Sequence, residues 1–224
     1  MRINIKSDIV GNDEAWIYRW YGIDCVTPKN VLSALDEARK NNNERVDIYI
    51  NSGGGDIFAA SEIYSALIEY EGEVMIHIVG LAASAASVIA CAGVSEIAPT
   101  AMLMIHNVSA QTRGDYNAME HSAEMLKKAN LTISAAYRAK TGKTDDELLD
   151  LMNRETWFTA DEAVSLGFVD KHIDTSKVRL VAADSRVLSL DTLEKMKSVA
   201  RENEALKKQN SHYKNYIELK EKSI

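Results

Sequence analysis

The 224-residue sequence lacks features that would place it in several classes of protein. Its two cysteines, Cys25 and Cys91, form neither a metal-ligand cluster nor a disulfide framework, which favours a reducing, cytoplasmic setting. No segment approaches the ~18 uninterrupted apolar residues of a membrane span, and the N-terminal residues lack the apolar run of a signal peptide. The net charge is −7 with no basic stripe, which argues against nucleic-acid binding.

Two further absences concern ligands. No pair of histidines has the spacing of a metal site, so a metalloenzyme is disfavoured and no cofactor is expected. The stretch INSGGGD, residues 50–56, lacks the Gly-Lys-Ser/Thr ending of a Walker loop and is not GxGxxG, which disfavours phosphate binding. What is present is an ordinary globular composition, 46% hydrophobic and 26% charged, on a chain long enough for one sizeable domain.

The order of predicted elements indicates the fold class. Strands alternate with helices from residue 45 onward, which favours an α/β fold with mostly parallel strands. Two early strands are predicted over residues 2–10 and 15–22, and a long helix is predicted from Tyr116 to Lys140. Three helices are predicted to begin after the N-caps Thr27, Thr144 and Thr159. Further helices are predicted over residues 57–72 and 84–92. Further strands are predicted from about residue 45, over 73–80 and on either side of Pro99.

The sequence changes character after about residue 177. Residues 178–224 are rich in charge and carry only weak heptads, which make a poor stand-alone coiled coil. We therefore divide the chain into a main domain, residues 1–177, and a helical tail, residues 178–224. The tail is either an assembly or partner segment or a solvated, partly disordered extension.

Two serines stand in the alanine-rich stretch GLAASAAS, residues 80–87. Ser84 falls where a strand gives way to a helix, so its hydroxyl lies at the positive end of the helix dipole, and the N–H of Ala85 has no helical partner. Ser87 lies one turn further in, where its hydroxyl can bond back to a carbonyl. Position therefore favours Ser84 as a nucleophile and Ser87 as a packing residue, and the alanines are expected to keep the approach to Ser84 open.

Among the five histidines, His106 is the best candidate for a general base. It ends the apolar run AMLMIH at a strand-to-loop switch, where parallel-sheet proteins place their chemistry. His77 lies inside an alternating strand and is equally well explained as a sheet residue. The glycine turn before Asp56 can present a backbone N–H to an oxyanion, or it can simply be a tight connection.

Four motifs together carry a resemblance to a known family. INSGGGD, GLAASAAS, MIHN and RETWFTADEAVSLGFVD occur in the order and spacing of the proteolytic subunit of the Clp protease, ClpP. The resemblance covers about residues 15–175 and is closest to ClpP-related enzymes of phages and prophages, which are often assigned to head maturation. It implies a ClpP/crotonase-like spiral of βαβ units, with the helix from Tyr116 as a protruding handle through which two rings stack.

The resemblance also implies a Ser-His-acid peptidase. Ser84 matches the nucleophile, His106 the general base, and the backbone N–H groups of Gly55 and Ala85 the oxyanion hole. The third member falls on Glu155, where the family usually has aspartate, so its arm is one methylene longer; a surface acid beside Arg154 is the alternative interpretation.

The expected partners follow from the same resemblance. The substrate would be a protein or peptide, for example capsid or scaffold protein, cleaved without an ATPase and with trimming of the tail as an additional reaction. A homo-oligomeric ring or stacked rings are expected, since the handle helix carries an apolar set larger than a surface helix needs. A housekeeping proteolytic subunit served by an AAA+ ATPase is one alternative, and an assembly protein with a drifted catalytic set is another. The apolar set of the handle is Met119, Met125, Leu126, Ala129 and Ile133.

Overall fold

The structure, a computed structural model, describes residues 1–174 and Ser198. Most of this part of the chain folds into a seven-stranded sheet and its helices. The predicted tail, residues 178–224, lies outside the described residues apart from Ser198. The strands are β1 (Arg2–Ile5), β2 (Asp8–Ile9), β3 (Cys25–Val26), β4 (Val46–Ser52), β5 (Val74–Ala83), β6 (Val94–Ile97), β7 (Met102–Ile105), β8 (Thr156–Thr159) and β9 (Lys171–His172). The helices are α1 (Ala15–Trp20), α2 (Pro28–Lys40), α3 (Ile57–Ile68), α4 (Ala85–Ala90), α5 (Tyr116–Thr141), α6 (Asp145–Asn153) and α7 (Ala160–Ser165).

The sheet divides at its central strand. Five strands run in the order β1-β4-β5-β6-β9, and all of these neighbours are parallel. The first half of β5 pairs with β6, whereas its last residues, Leu81–Ala83, pair in parallel with β7. Strand β8 then lies antiparallel to β7, and β2 and β3 form a separate pair. The predicted α/β class with mostly parallel strands is confirmed.

Burial explains why the central strands form. Ile48 and Ile50 of β4 and Ile76 and Ile78 of β5 are fully buried. Strands covered by helices carry such β-branched apolar residues because both faces lose contact with water. Helices α2 and α3 contribute apolar residues to the same core, for example Leu35 and Ile63.

Most predicted helix boundaries agree with the structure. The side chains of Thr27, Thr144 and Thr159 each accept a hydrogen bond from the backbone N–H three residues on, and each forms a capping box. The long helix was predicted to Lys140 and ends at Thr141, with Gly142 in the left-handed conformation behind it. Within the residues described, no helix is long and apolar enough to cross a membrane.

The structure departs from the predicted secondary structure at three places. The segment 15–22, predicted as an early strand, contains helix α1. Its Trp16 and Trp20 side chains are both 58% exposed, so these apolar residues do not form the buried face that a strand would need. Strand β5 continues past Gly80 to Ala83, and α4 therefore begins at Ala85 rather than at residue 84. Strands β8 and β9 were not predicted, because each is short and is defined by its pairing with a distant strand.

The topology brings three strand ends together. Strands β4, β5 and β7 are parallel neighbours, so their carboxyl ends meet at the same edge of the sheet. The glycine turn follows β4, Ser84 follows β5 and His106 follows β7. Ligands of open parallel sheets bind at such an edge, and the candidate site lies there.

Candidate active site

Ser84 is the single residue between β5 and α4. Its backbone has φ 55° and ψ −126°, a conformation that non-glycine residues rarely adopt. The turn is held from the β7 side, because the Ser84 N–H donates to the carbonyl of Met104 at 3.0 Å. The side chain does not cap α4. A strained strand-to-helix turn of this kind leaves the hydroxyl free for chemistry.

His106 is the partner of that hydroxyl. It directly follows β7, and its Nε2 atom lies 2.7 Å from Ser84 Oγ. Both side chains are half-buried, so the pair is protected yet open to a substrate. An imidazole nitrogen at hydrogen-bond distance from a hydroxyl can take its proton when the oxygen attacks a carbonyl.

The glycine turn packs directly on Ser84. A Cβ atom on Gly54 would lie 2.8 Å from Ser84 Cβ and 2.7 Å from the carbonyl oxygen of Ala83, and Gly54 has φ 100°. Gly55 has φ 141° and forms a parallel bridge with Ile9, whose carbonyl oxygen would lie 2.1 Å from an added Cβ. Only glycine fits at these two positions.

Two backbone N–H groups beside Ser84 are available to a ligand. Ile9 bonds to the carbonyl of Gly54 and to the N–H of Asp56, and so leaves the N–H of Gly55 between them unused. Ala85 is the first residue of α4, where the N–H has no helical acceptor. Among residues 1–174 neither N–H donates a hydrogen bond. Two free donors on either side of a nucleophile can hold a developing oxyanion.

Glu155 directly precedes β8, the strand that pairs with β7, but its carboxylate bonds to a residue other than His106. The ladder of β7 and β8 ends with the pair Ile105 and Thr156, and His106 and Glu155 are the next residues of the two chains. Glu155 has φ 48°, so it does not continue the strand. The carboxylate instead accepts a hydrogen bond from Trp157 Nε1, with Oε1 and Nε1 3.3 Å apart. Within residues 1–174 no hydrogen bond joins Glu155 to His106. The structure thus brings Ser84 and His106 together and leaves the Glu155 carboxylate bonded to Trp157.

A cleft of about 260 Å³ opens at the serine. The end of the glycine turn, the first residues of α3 and the segment from Asn107 to Ala110 line it. Helix α5 also lines it, with four of the five apolar residues predicted for the handle: Met125, Leu126, Ala129 and Ile133. This apolar set therefore lines the cleft, which accounts for its size.

Sequence reasoning missed two polar contacts around the site. Ser87 is fully buried and its hydroxyl bonds back to the carbonyl of Ser84, as its position predicts, but its second contact, with the phenol of Tyr137, has no signal in the sequence. Asn107, next to His106, donates from Nδ2 to Asn153 Oδ1 at 2.8 Å. These partners are 50 and 46 residues apart, a separation that no local pattern signals.

The arrangement defines a class of protein. A serine hydroxyl paired with an imidazole at a strained strand-to-helix turn, beside two free backbone N–H groups, is the geometry with which serine hydrolases act on acyl groups.

Comparisons with known proteins identify the family. A family model described as Clp protease matches residues 17–176. The ATP-dependent Clp protease proteolytic subunit 2 of Tropheryma whipplei is 32% identical over 135 residues, 59% of this chain and 74% of that protein. The ATP-dependent Clp protease proteolytic subunit of Deinococcus radiodurans is 30% identical over 141 residues, 62% of this chain and 69% of that protein. The chain belongs to the Clp protease family and is a serine-type peptidase, which confirms the predicted family and the predicted class of enzyme.

Proposed function

We propose that the chain is a serine endopeptidase in which Ser84 is the nucleophile and His106 the general base. The observation that carries the proposal is the 2.7 Å contact between Ser84 Oγ and His106 Nε2 at the meeting point of three strand ends. The cleft supports it, because an extended peptide can lie between the glycine turn and α5 with its carbonyl at Ser84.

The proposed reaction has two halves. His106 Nε2 takes the proton of Ser84, whose oxygen bonds to the carbonyl carbon of the scissile peptide. The N–H groups of Gly55 and Ala85 hold the resulting oxyanion, and His106 then gives the proton to the leaving amine as the C–N bond breaks. Water, deprotonated by His106, attacks the acyl-enzyme, and His106 returns that proton to Ser84 Oγ as the ester C–O bond breaks, which releases the acid and regenerates the Ser84 hydroxyl.

Glu155 is the proposed third member. A carboxylate on Nδ1 of His106 fixes the imidazole tautomer and stabilises the imidazolium that forms. His106 and Glu155 adjoin the last pair of the β7–β8 ladder, Ile105 and Thr156, and paired residues of such a ladder have Cβ atoms about 5 Å apart, a separation that a glutamate side chain can span. The rotation from Trp157 to His106 is therefore the step that completes the triad.

Labelling with a fluorophosphonate tests the nucleophile. We expect the full-length chain to be labelled covalently, and Ser84→Ala and His106→Ala to lose both labelling and peptide hydrolysis. Ser109→Ala is the matched control, because Ser109 is an exposed serine that lines the same cleft and should stay fully labelled. Unchanged hydrolysis by Ser84→Ala would refute the assignment. Absence of labelling in the wild-type chain would favour an assembly protein whose catalytic set has drifted.

For the substrate, we propose capsid or scaffold protein cleaved during shell assembly, without an ATPase. Support comes from the resemblance of the four motifs to the ClpP-related enzymes of phages and prophages. A ring or stacked rings of this chain would carry out the reaction, with trimming of residues 178–224 as a second product. The mass of the purified chain in solution, with and without those residues, measures the oligomer and the trimming together.

A second candidate is a proteolytic subunit that works with an AAA+ ATPase. It is favoured by the names of the two relatives reported above, each of which is called a proteolytic subunit of an ATP-dependent Clp protease. The two candidates differ in their requirement for ATP. Degradation of unfolded casein only when a Clp ATPase and ATP are added would support the second candidate, and cleavage of capsid assemblies without either would support the first.

A further inference from the structure

The strained backbone of Ser84 is held by one buried side chain. Two hydrogen bonds end on the carbonyl oxygen of Ser84, one from the N–H of Ser87 at 2.9 Å and one from Ser87 Oγ at 2.6 Å. A residue with φ 55° keeps that conformation only when its surroundings fix it. Ser87 is thus the main contact that fixes the carbonyl side of the turn.

The hydroxyl of Ser87 has a second partner, and the direction of both bonds follows from proton counting. Ser87 Oγ lies 2.8 Å from the phenol oxygen of Tyr137. A carbonyl only accepts, so the single proton of Ser87 goes to Ser84. The phenol of Tyr137 must then donate to Ser87 Oγ. Burial raises the pKa of Tyr137, so the phenol keeps its proton at neutral pH.

Water cannot replace either bond. Ser87 is 0% exposed and Tyr137 is 1% exposed. Buried polar groups that lose their partner keep the full cost of desolvation, so a chain of two such bonds is sensitive to the loss of either donor.

The chain of bonds connects two parts of the site. Tyr137 belongs to α5, the helix that forms the apolar wall of the cleft. Its ring packs edge-on against Phe168 with centroids 5.9 Å apart, and Phe168 packs against Phe158 of β8, the strand that follows Glu155. A displacement of α5 is therefore transmitted through Tyr137 and Ser87 to the backbone of Ser84.

We propose that Tyr137 and Ser87 are positioning residues, which hold the Ser84 turn in its reactive conformation and couple it to helix α5. The proposal rests on the proposed role of Ser84 as nucleophile. It assigns no contact with the substrate to either hydroxyl, since both are occupied by the chain of bonds.

The test compares Tyr137→Phe and Ser87→Ala with two controls. Tyr70→Phe removes a similar bond, from the phenol of Tyr70 to the carbonyl of Glu44 at 2.6 Å, on the far side of α3. Ser134→Ala removes a fully buried hydroxyl that bonds to a helix carbonyl on α5 at 2.9 Å. For each full-length variant we measure the fluorophosphonate labelling rate of Ser84, kcat and KM for a short fluorogenic peptide, and the thermal midpoint.

We expect Tyr137→Phe to lower kcat and the labelling rate by about three- to tenfold, the kinetic equivalent of one buried hydrogen bond, with KM unchanged. Both controls should lower the thermal midpoint and leave kcat and labelling unchanged. The double variant Tyr137→Phe, Ser87→Ala should be no slower than Ser87→Ala alone, because the two hydroxyls act through one chain.

Two results would overturn the proposal. One is a Tyr137→Phe variant that loses stability as Tyr70→Phe does but keeps wild-type kcat and labelling. The other is a double variant whose losses multiply. If Ser87→Ala does not fold, Tyr137→Phe still decides between the outcomes. Failure of the wild-type chain to label would instead refute the proposed function, so the two failures are distinguishable.

Discussion

The contact between Glu155 and Trp157 leads to a prediction about activity. In the structure the carboxylate bonds to the indole N–H rather than to His106, although Glu155 and His106 both adjoin the last pair of the β7–β8 ladder. The indole therefore competes with the imidazole for one carboxylate. Trp157→Phe removes the competing donor and keeps an aromatic ring on the strand, at a side chain that is 46% exposed.

The size of the effect follows from the strength of that bond. An exposed hydrogen bond of 3.3 Å contributes about 0.5–1 kcal/mol, at the low end of the usual range. Its removal shifts the population of the two carboxylate positions by about two- to fivefold, at 1.36 kcal/mol per factor of ten. We expect kcat of Trp157→Phe to rise by that factor at most, with KM unchanged.

Peptide hydrolysis by the purified chain is the assay, with Trp16→Phe as the control because Trp16 is an exposed indole on α1. Glu155→Gln should lower kcat by about 100-fold or more, since the imidazolium loses its counter-charge. Adding Trp157→Phe to Glu155→Gln should change nothing further. A rise in kcat that persists in the Glu155→Gln background, or no rise at all, would refute the reasoning.

Two other predictions concern stability. Gly55→Ala forces a Cβ to 2.1 Å from the carbonyl of Ile9 at φ 141°, so it should lower the free energy of unfolding by about 2 kcal/mol or more and abolish hydrolysis. Gly53→Ala, with nothing within 4 Å of its Cβ, should stay within about 0.5 kcal/mol of wild type in urea denaturation, and equal losses in the two variants would contradict this account. Partial burial works to raise the pKa of Asp170, but hydrogen bonds from Lys140 and Ser95 outweigh it and hold the pKa below its usual value. The stability that Asp170 contributes is therefore present above about pH 4 and is lost as the pH falls through the pKa of the folded state. Asp170→Asn should lower the free energy of unfolding by about 1 kcal/mol in urea at pH 7 and by progressively less towards pH 2. An equal loss at both pH values would contradict the lowered pKa.

The part of the site that local sequence predicts is the part built at strand ends. Ser84 and His106 were found because each follows an apolar run at a switch from strand to helix or loop, and the structure brings the two together. The pairing of β8 with β7, whose last pair adjoins His106 and Glu155, joins residues about 50 apart and was not predicted. The contact between Ser87 and Tyr137 is of the same kind. Long-range pairing is decided by tertiary packing, which local periodicity does not encode.

Helix α1 shows the opposite failure, in which a local pattern was present but had another cause. The apolar residues of AWIYRWYG suggested a strand, yet Trp16, Trp20 and Tyr21 are more than half exposed. The segment satisfies its backbone by local bonds, such as the Tyr21 N–H to the carbonyl of Ile17 at 3.1 Å. Apolar spacing predicts an element only where one face is buried.

The alanines around Ser84 have a different reason from the one that the sequence suggested. They were expected to keep the approach to the serine open, but Ala82, Ala83, Ala85 and Ala86 are all at most 2% exposed and belong to the core or its edge. The glycine turn approaches so closely that a Cβ on Gly54 would lie 2.9 Å from the nitrogen of Ala85. Larger side chains at these buried positions would have to push the helix start away from the turn, because packed interiors leave no room for added atoms. The separation of the two free N–H groups, on which the proposed oxyanion hole depends, is therefore set by the size of residues that the substrate does not touch.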